Sequence, residues 1–281
     1  YVTKASTSKA TRCSGTVTEN ATVGNLAAKL APETKNIRIL TIDIEWRPMT
    51  VYSWGLFNQN HGINQIADDG GLLCFAAKWF GSKEVLYWSE LDGHRTMVDA
   101  AHALLAEADM VITYNGDRYD IPKLNGEFML AGMAPPRPFR SLDLIKTNKA
   151  RFSLPSRKLD FLVQRSGVGS KVSHNGFELW IGCMNNDPDA WKLMEKYCKG
   201  DVIVTEKAYL RLLPWVTNAP HLAMFTGEAH SCPYCGSKKI ERSGTTHSYV
   251  QSYQLYECKA CGGWIRGTTR YQDPTRTRAI R

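Results

Sequence analysis

The chain has 281 residues, of which 43% are hydrophobic and 22% charged, and a formal net charge of +8. That length holds one sizeable core plus a small module, and no apolar run is long enough for a membrane span. The basic balance points to an anionic partner, nucleic acid before an acidic membrane surface.

Residues 1–36, rich in Thr, Ser, Ala and Lys, read as a flexible N-terminal arm, within which Thr22–Leu30 has the spacing of a short amphipathic helix. Ile39–Trp46 (ILTIDIEW) is a short isoleucine-rich run, the pattern of a buried strand. Arg47–Gly71 is too long for a tight hairpin, and long ordered loops often line functional sites; its Trp54 and Phe57, like the preceding Trp46, are expected to pack rather than stack on a base. Leu72–Phe80 and Glu84–Trp88, split by Gly81-Ser82, predict an antiparallel pair. Thr96–Ala108 has helical spacing, and Met110–Thr113 reads as a buried strand. Pro122 suits the first turn of a helix running to about Gly132, and Pro135, Pro136 and Pro138 mark a loop. Ser156–Arg165 and Asp187–Leu213 predict helices, the second opened by Asp187-Pro188; the glycine-rich stretch between Ser166 and Gly182 has no readable period. Strands and helices mixed in this order predict an α/β layer built on a mixed sheet over residues 37–217. A linker (218–230), a small module (231–267) and a basic tail (268–281) with Arg270, Arg276, Arg278 and Arg281 complete the chain.

Asp43 and Glu45 stand two apart near the downstream end of the first strand, so they share a face. Carboxylates side by side repel unless a cation sits between them, and hard oxygen ligands suit Mg²⁺ or Mn²⁺. Asn115-Gly116 signals a turn straight after the strand 110–113. It places Asp120 at the mouth of the same sheet, with Asp117 the rival acid. Tyr197 and Asp201, four apart in a predicted helix, lie on one face. Taken singly, each has an ordinary reading: a solvated strand end, a turn, a half-buried tyrosine beside an acid in water. His94, His102, His174 and His221 read as surface histidines, and Asp143 and Asp160 as solvent-facing acids.

Taken together, Asp43 and Glu45, then Asp120, then Tyr197 and Asp201 resemble the DEDD superfamily of 3′–5′ exonucleases over about Ile37 to Leu213. That family carries D-x-E on its first strand, N-x(3–4)-D after a later strand, and Y-x(3)-D or H-x(4)-D on a helix. The tyrosine form present here is similar to that of proofreading domains of family A and B DNA polymerases. WGLFNQNHGINQI (54–66), AAKWF (76–80), GFELW (176–180) and the closing CxxC module resemble a group of phage-encoded RNase H-like exonucleases.

The resemblance implies an RNase H-like fold and a pair of Mg²⁺ or Mn²⁺ ions held by Asp43, Glu45, Asp120 and Asp201. Asp43 would bridge both ions, Glu45 and Asp201 would complete the site of the attacking water, and Asp120 would act in the environment of the second. Tyr197 would orient the water, and the product would be a nucleoside 5′-monophosphate. The implied partner is nucleic acid, with DNA favoured at single-stranded 3′ ends, and a separate polymerase or other replication protein beside it. The rivals are a 3′–5′ exoribonuclease and a catalytically weak nucleic-acid-binding accessory of a replication or packaging complex.

Of eight cysteines, four form the pairs Cys232/Cys235 and Cys258/Cys261, and Cys13, Cys74, Cys183 and Cys198 are scattered. A double CxxC at this separation, each with glycine just behind it, is a strong signal for one structural zinc on four thiolates, a closed site without catalysis. It suits a reducing compartment; with no signal peptide legible, a cytoplasmic location is expected, the host's if the chain is phage-encoded. Lys238, Lys239, Arg242, Lys259, Arg266 and Arg270, with Tyr253, Tyr256 and Trp264, give this zinc ribbon a basic and aromatic surface suited to nucleic acid; docking on the larger domain or on a protein partner is the alternative.

Overall fold

The computed structural model describes residues 37–216, 219–248 and 251–270. The N-terminal arm with Thr22–Leu30, and the tail beyond Arg270, lie outside the described residues.

Strand β1 (Ile39–Arg47) is the middle of a five-stranded sheet. After a short ribbon of β2 (Thr50–Val51) and β3 (Ile66–Asp68), the chain returns as β4 (Gly71–Trp79), antiparallel to β1, and β5 (Leu86–Ser89) pairs with β4. On the other side β6 (Met110–Thr113) and β7 (Arg140–Asp143) run parallel to β1, giving the order β5-β4-β1-β6-β7. This is the expected mixed sheet.

Alternation along β1 assigns its residues to two faces. Ile42 and Ile44 pack with Phe75, Met97, Leu105, Leu124 and Phe128, under helices α1 (His94–Glu107) and α2 (Asp120–Leu130). Asp43 and Glu45 belong to the opposite face. After α3 (Leu144–Arg151), α4 (Leu159–Arg165) and α5 (Glu178–Met184), that face is covered by α6 (Pro188–Leu212). The Asp187 carboxylate caps α6 by accepting from the Asp189 amide at 3.0 Å, and Pro188 takes the first turn, where its missing N–H costs nothing. Trp191, Met194, Cys198, Asp201, Val202, Thr205, Ala208, Tyr209 and Leu212 are all buried, a stripe at three- and four-residue spacing that faces the sheet. An acid therefore sits within the packing stripe itself.

Among the elements without a readable sequence pattern are β7, α3 and α5. Strand β7 reads RSLD, too polar for a buried strand by composition, yet its last residue, Asp143, is only 1% exposed. Asp143 is thus not the solvent-facing acid expected; it caps α3 and serves the turn after β6. The helix expected from Ser156 begins at Leu159. Trp54 and Phe57 do not pack in their loop and are 97% and 82% exposed.

The last elements are α7 (Ala223–Thr226) and a three-stranded antiparallel sheet, β8 (Ile240–His247), β9 (Ser252–Cys258) and β10 (Trp264–Arg270), in the order β10-β9-β8. Strand β10 takes up residues 268–270 of the expected tail. Val216, Leu222, Cys232, Cys235 and Cys258 share one apolar cluster with Tyr209 and Leu213 at the end of α6, so the cysteine end of the ribbon packs on the larger sheet domain. Among the described residues no helix is long and apolar enough to cross a membrane.

Lys78 on β4 lies 2.6 Å from Glu206 on α6, both nearly buried. Removing one member leaves the other charge uncompensated. Glu206→Ala is expected to cost about 3 kcal/mol in denaturant unfolding, and the double change to Lys78→Met and Glu206→Leu is expected to cost less than the single one.

Candidate active site

Four carboxylates converge at the end of β1. Asp43 pairs with Ala76 and Glu45 with Cys74 across β4, small neighbours that leave room above the strand for α6. The pairing slips between Glu45 and Trp46, a bulge of the kind that re-aims side chains beside sites. From α6, the Cys198 thiol lies 3.8 Å from the Asp43 carbonyl, and Asp201, one turn on, reaches the acids. Oxygens of Asp43, Glu45 and Asp201 all lie within 4.8 Å of one another.

Asp120 arrives by a different route. Strand β6 pairs with β1 only from Ile39 to Thr41 and then turns away, leaving the next β1 amides on that side without a strand partner. Asp120 Oδ1 accepts the Ile44 amide at 3.2 Å. The turn is tight: Asn115 is left-handed at φ 73°, and a Cβ on Gly116 would meet the Thr113 side chain at 2.4 Å. Asp143 pins the turn by accepting the Asn115 amide at 2.7 Å. Asp117 is bound to Ser141 and Lys146 instead, so of the two acids it is Asp120 that stands beside β1.

Crowded acids hold their protons. Burial first, then the charges of Asp120, Glu45 and Asp201, push Asp43 well above the usual carboxylate range. Burial and the Asp201 charge push Glu45 up to about 8. Burial raises Asp120 to about 6 against the opposing Ile44 hydrogen bond, and burial also raises Asp201 despite a lysine beside it.

That lysine is Lys171. Its Nζ lies 2.5 Å from Asp201 Oδ2 and donates to the Tyr197 hydroxyl at 3.0 Å. Burial disfavours its charge, yet the Asp201 carboxylate keeps the ammonium above its ordinary range. Tyr197 is itself raised, by burial and then by Asp201 and Glu45, and its ring meets His174 at 4.6 Å and Trp180 at 6.1 Å. The segment carrying Lys171 is tied down by Asp160, which accepts the Lys171 amide at 3.0 Å, and by Gly200, where a Cβ would meet Val172 at 2.9 Å. Sequence reasoning did not single out Lys171, whose one signal was a lysine in a glycine-rich stretch close in sequence to the Tyr197 helix; His174 and Asp160, expected to face solvent, instead meet the Tyr197 ring and hold the Lys171 amide. Around it an open cleft of about 510 Å³ is lined by Asp43, Asn115, Arg157, Lys158 and Lys171 among others.

A divalent cation fits this donor set. The acids repel one another, an ammonium already stands among them, and Asp201 Oδ1 is buried without a partner.

The family model described as the RNase_H superfamily matches residues 71–213. The chain belongs to the RNase H superfamily. Among solved structures, the family B DNA polymerase from the hyperthermophilic archaeon Pyrobaculum calidifontis is similar at 16% identity and a TM-score of 0.46. The match covers 78% of this chain and 32% of the polymerase, so the chain spans about a third of that protein's length. None of the curated proteins matches the chain.

Outside the RNase H fold, the ribbon brings its four cysteines together. Cys232 and Cys261 sulfurs are 3.7 Å apart and those of Cys235 and Cys258 are 3.6 Å apart. Four thiolates about 2.3 Å from a central zinc form a tetrahedron with edges of about 3.8 Å, so the spacing fits that ion. The two knuckles are alike: Gly236 and Gly262 are left-handed at φ 74° and 75°, and their amides bond the Cys232 and Cys258 carbonyls at 2.8 Å. Lys238 and Lys259 pair with Glu228 and Glu257, and Arg266 lies over the Tyr253 ring at 4.4 Å, so part of the ribbon's basic surface is engaged internally.

Glu45 carries a raised pKa, so without metal the folded state holds a proton that the unfolded state releases. Its contribution to stability is present below the ordinary value near 4.5 and is lost as pH rises towards about 8. Glu45→Gln should therefore leave the chelated protein's melting temperature nearly unchanged at the acid end of that window. At the alkaline end it should raise that temperature relative to the parent, a difference read by calorimetry.

Proposed function

We propose that the chain is a two-metal-dependent 3′–5′ exonuclease of the tyrosine-type DEDD group, of the kind phages encode, releasing nucleoside 5′-monophosphates with DNA as the preferred polymer. The observation that carries the reading is convergence. Asp43, Glu45 and Asp201 present oxygens within 4.8 Å of one another, Asp120 is bonded to the amide between the first two, and the Tyr197 phenol adjoins them through Lys171. The polarity rests on the order of these motifs and the tyrosine form of the third.

Asp43, Glu45 and Asp201 would hold one Mg²⁺ or Mn²⁺, and Asp43 with Asp120 would contribute to the second. Bound there, such ions supply an acidified water and positive charge at the leaving oxygen. The chain's own groups do the rest. Tyr197 holds the attacking water by its hydroxyl. Arg157, Lys158 and Lys171, which line the cleft with Asp43, receive the phosphodiester, where fixed cations also favour charge that develops on its oxygens. Once a phosphate and cations enter, Lys171 exchanges Asp201 for the phosphate oxygens. The four cysteines would hold one zinc that ties the ribbon together and does no catalysis. Replication in a cytoplasm, beside a polymerase, is the setting this reading favours.

Incubation with 3′-labelled and 5′-labelled single-stranded DNA and RNA in Mn²⁺ tests the reading. Mononucleotides should leave from the 3′ end, faster from DNA, and Asp43→Ala should abolish release. Tyr197→Phe should lower kcat by about 100-fold while Mn²⁺ affinity holds. Internal cuts, or release from the 5′ end, exclude this reading; faster RNA turnover selects the exoribonuclease, and tight binding without cleavage the accessory role. Elemental analysis should find one zinc per chain that survives removal of Mg²⁺ and is lost in Cys235→Ser.

A further inference from the structure

The segment between β1 and β4 exposes apolar surface that the fold itself does not use. Trp54 is 97% exposed, Leu56 93%, Ile63 89%, Phe57 82% and Tyr52 74%. Side chains of this size, concentrated on one short segment, mark a contact surface rather than scattered surface residues. The stem is built, not loose. The Tyr52 backbone amide donates to the Gln65 carbonyl at 2.8 Å, the Gln65 side-chain Nε2 donates to the Tyr52 carbonyl at 2.9 Å, and Arg47 pairs with Asp68.

We infer that this segment is a stacking arm for unpaired nucleobases of the strand being degraded. The inference deepens the nuclease reading and rests on it for the identity of the polymer. Three observations favour bases over other occupants. The arm leaves β1 two residues after Glu45, so it is continuous with the carboxylate site. From Thr50 to Ala67 there is no Lys, Arg, Asp or Glu, so it offers phosphates no fixed charge, whereas the cleft beside Asp43 carries Arg157, Lys158 and Lys171. Among its aromatic rings stand exposed amides, Asn60 and Asn64, which donate and accept as base edges do. The division matches how single strands are gripped elsewhere: cations track the backbone and aromatic rings take the bases in turn. The arm therefore selects a substrate with several unpaired nucleotides rather than a duplex end.

The test is binding, read by fluorescence anisotropy of fluorescein-labelled oligothymidylate in buffer freed of Mg²⁺ and Mn²⁺ on a chelating resin, which leaves the ribbon's zinc in place and permits no turnover. Trp54→Ala with Phe57→Ala alters exposed side chains only, so the fold is retained. The double variant should bind about tenfold more weakly, Trp54→Phe should recover most of the loss, and an abasic strand of equal length should bind parent and variant alike. Equal oligothymidylate binding by parent and variant overturns the inference, as does an equal loss on the abasic strand or a change in oligomeric state as the only effect. Cleavage by the parent in Mn²⁺ is scored separately. Cleavage with unchanged variant binding refutes the arm alone, and no cleavage with a base-dependent loss of binding refutes the nuclease reading alone.

Discussion

The constraint on which this structure depends is the mutual repulsion of four acids held at the end of one buried strand. A pair of carboxylates on β1 would be unremarkable in water. Here α6 covers them, Asp120 closes from the side, and burial moves each pKa upward, with the charges of neighbouring acids of the cluster adding to it at Asp43 and Glu45. Lys171 relieves part of that repulsion, and one Asp201 oxygen still has no partner. Groups that a fold brings together at such electrostatic cost mark functional sites, and positive charge is what this one lacks.

The rest of the architecture can be read as means of holding that arrangement. Strand β1 is flanked on both sides, so its backbone is fixed. The bulge after Glu45 and the left-handed Asn115 place two loops at the same end of the sheet. Helix α6 carries Asp201 within its packing stripe, so the acid cannot turn outward without unpacking the helix. The buried Lys78–Glu206 pair lies between β4 and α6 and joins the same two layers. The ribbon stands on the far end of α6 with a different ion chemistry. Its soft thiolates suit zinc, while the oxygen cluster suits harder cations.

Much of this was legible in the sequence because the signals were local. Ile39–Trp46, Met110–Thr113 and the Asp187-Pro188 helix start each carry their pattern within a few residues, and spacing alone puts Asp43 with Glu45 and Tyr197 with Asp201. What escaped depends on contacts distant in the chain. RSLD reads as polar until Asp143 is seen to cap α3 and hold the Asn115 turn. Lys171 lies in a segment without period, held by Asp160 and by the absence of a side chain at Gly200. Trp54 and Phe57 were expected to pack because large aromatic residues usually do; nothing in the sequence says that the segment between β1 and β4 stands away from the core.

If the carboxylate cluster at the end of β1 is a cation site, bound ions should be visible there. Diffraction from crystals grown with saturating Mn²⁺, measured at the manganese edge, tests it most directly. Two anomalous peaks are expected, both in contact with Asp43 and shared among Glu45, Asp120 and Asp201, with the Lys171 ammonium withdrawn from Asp201. No peak at the cluster, with Lys171 still seated on Asp201, would contradict it.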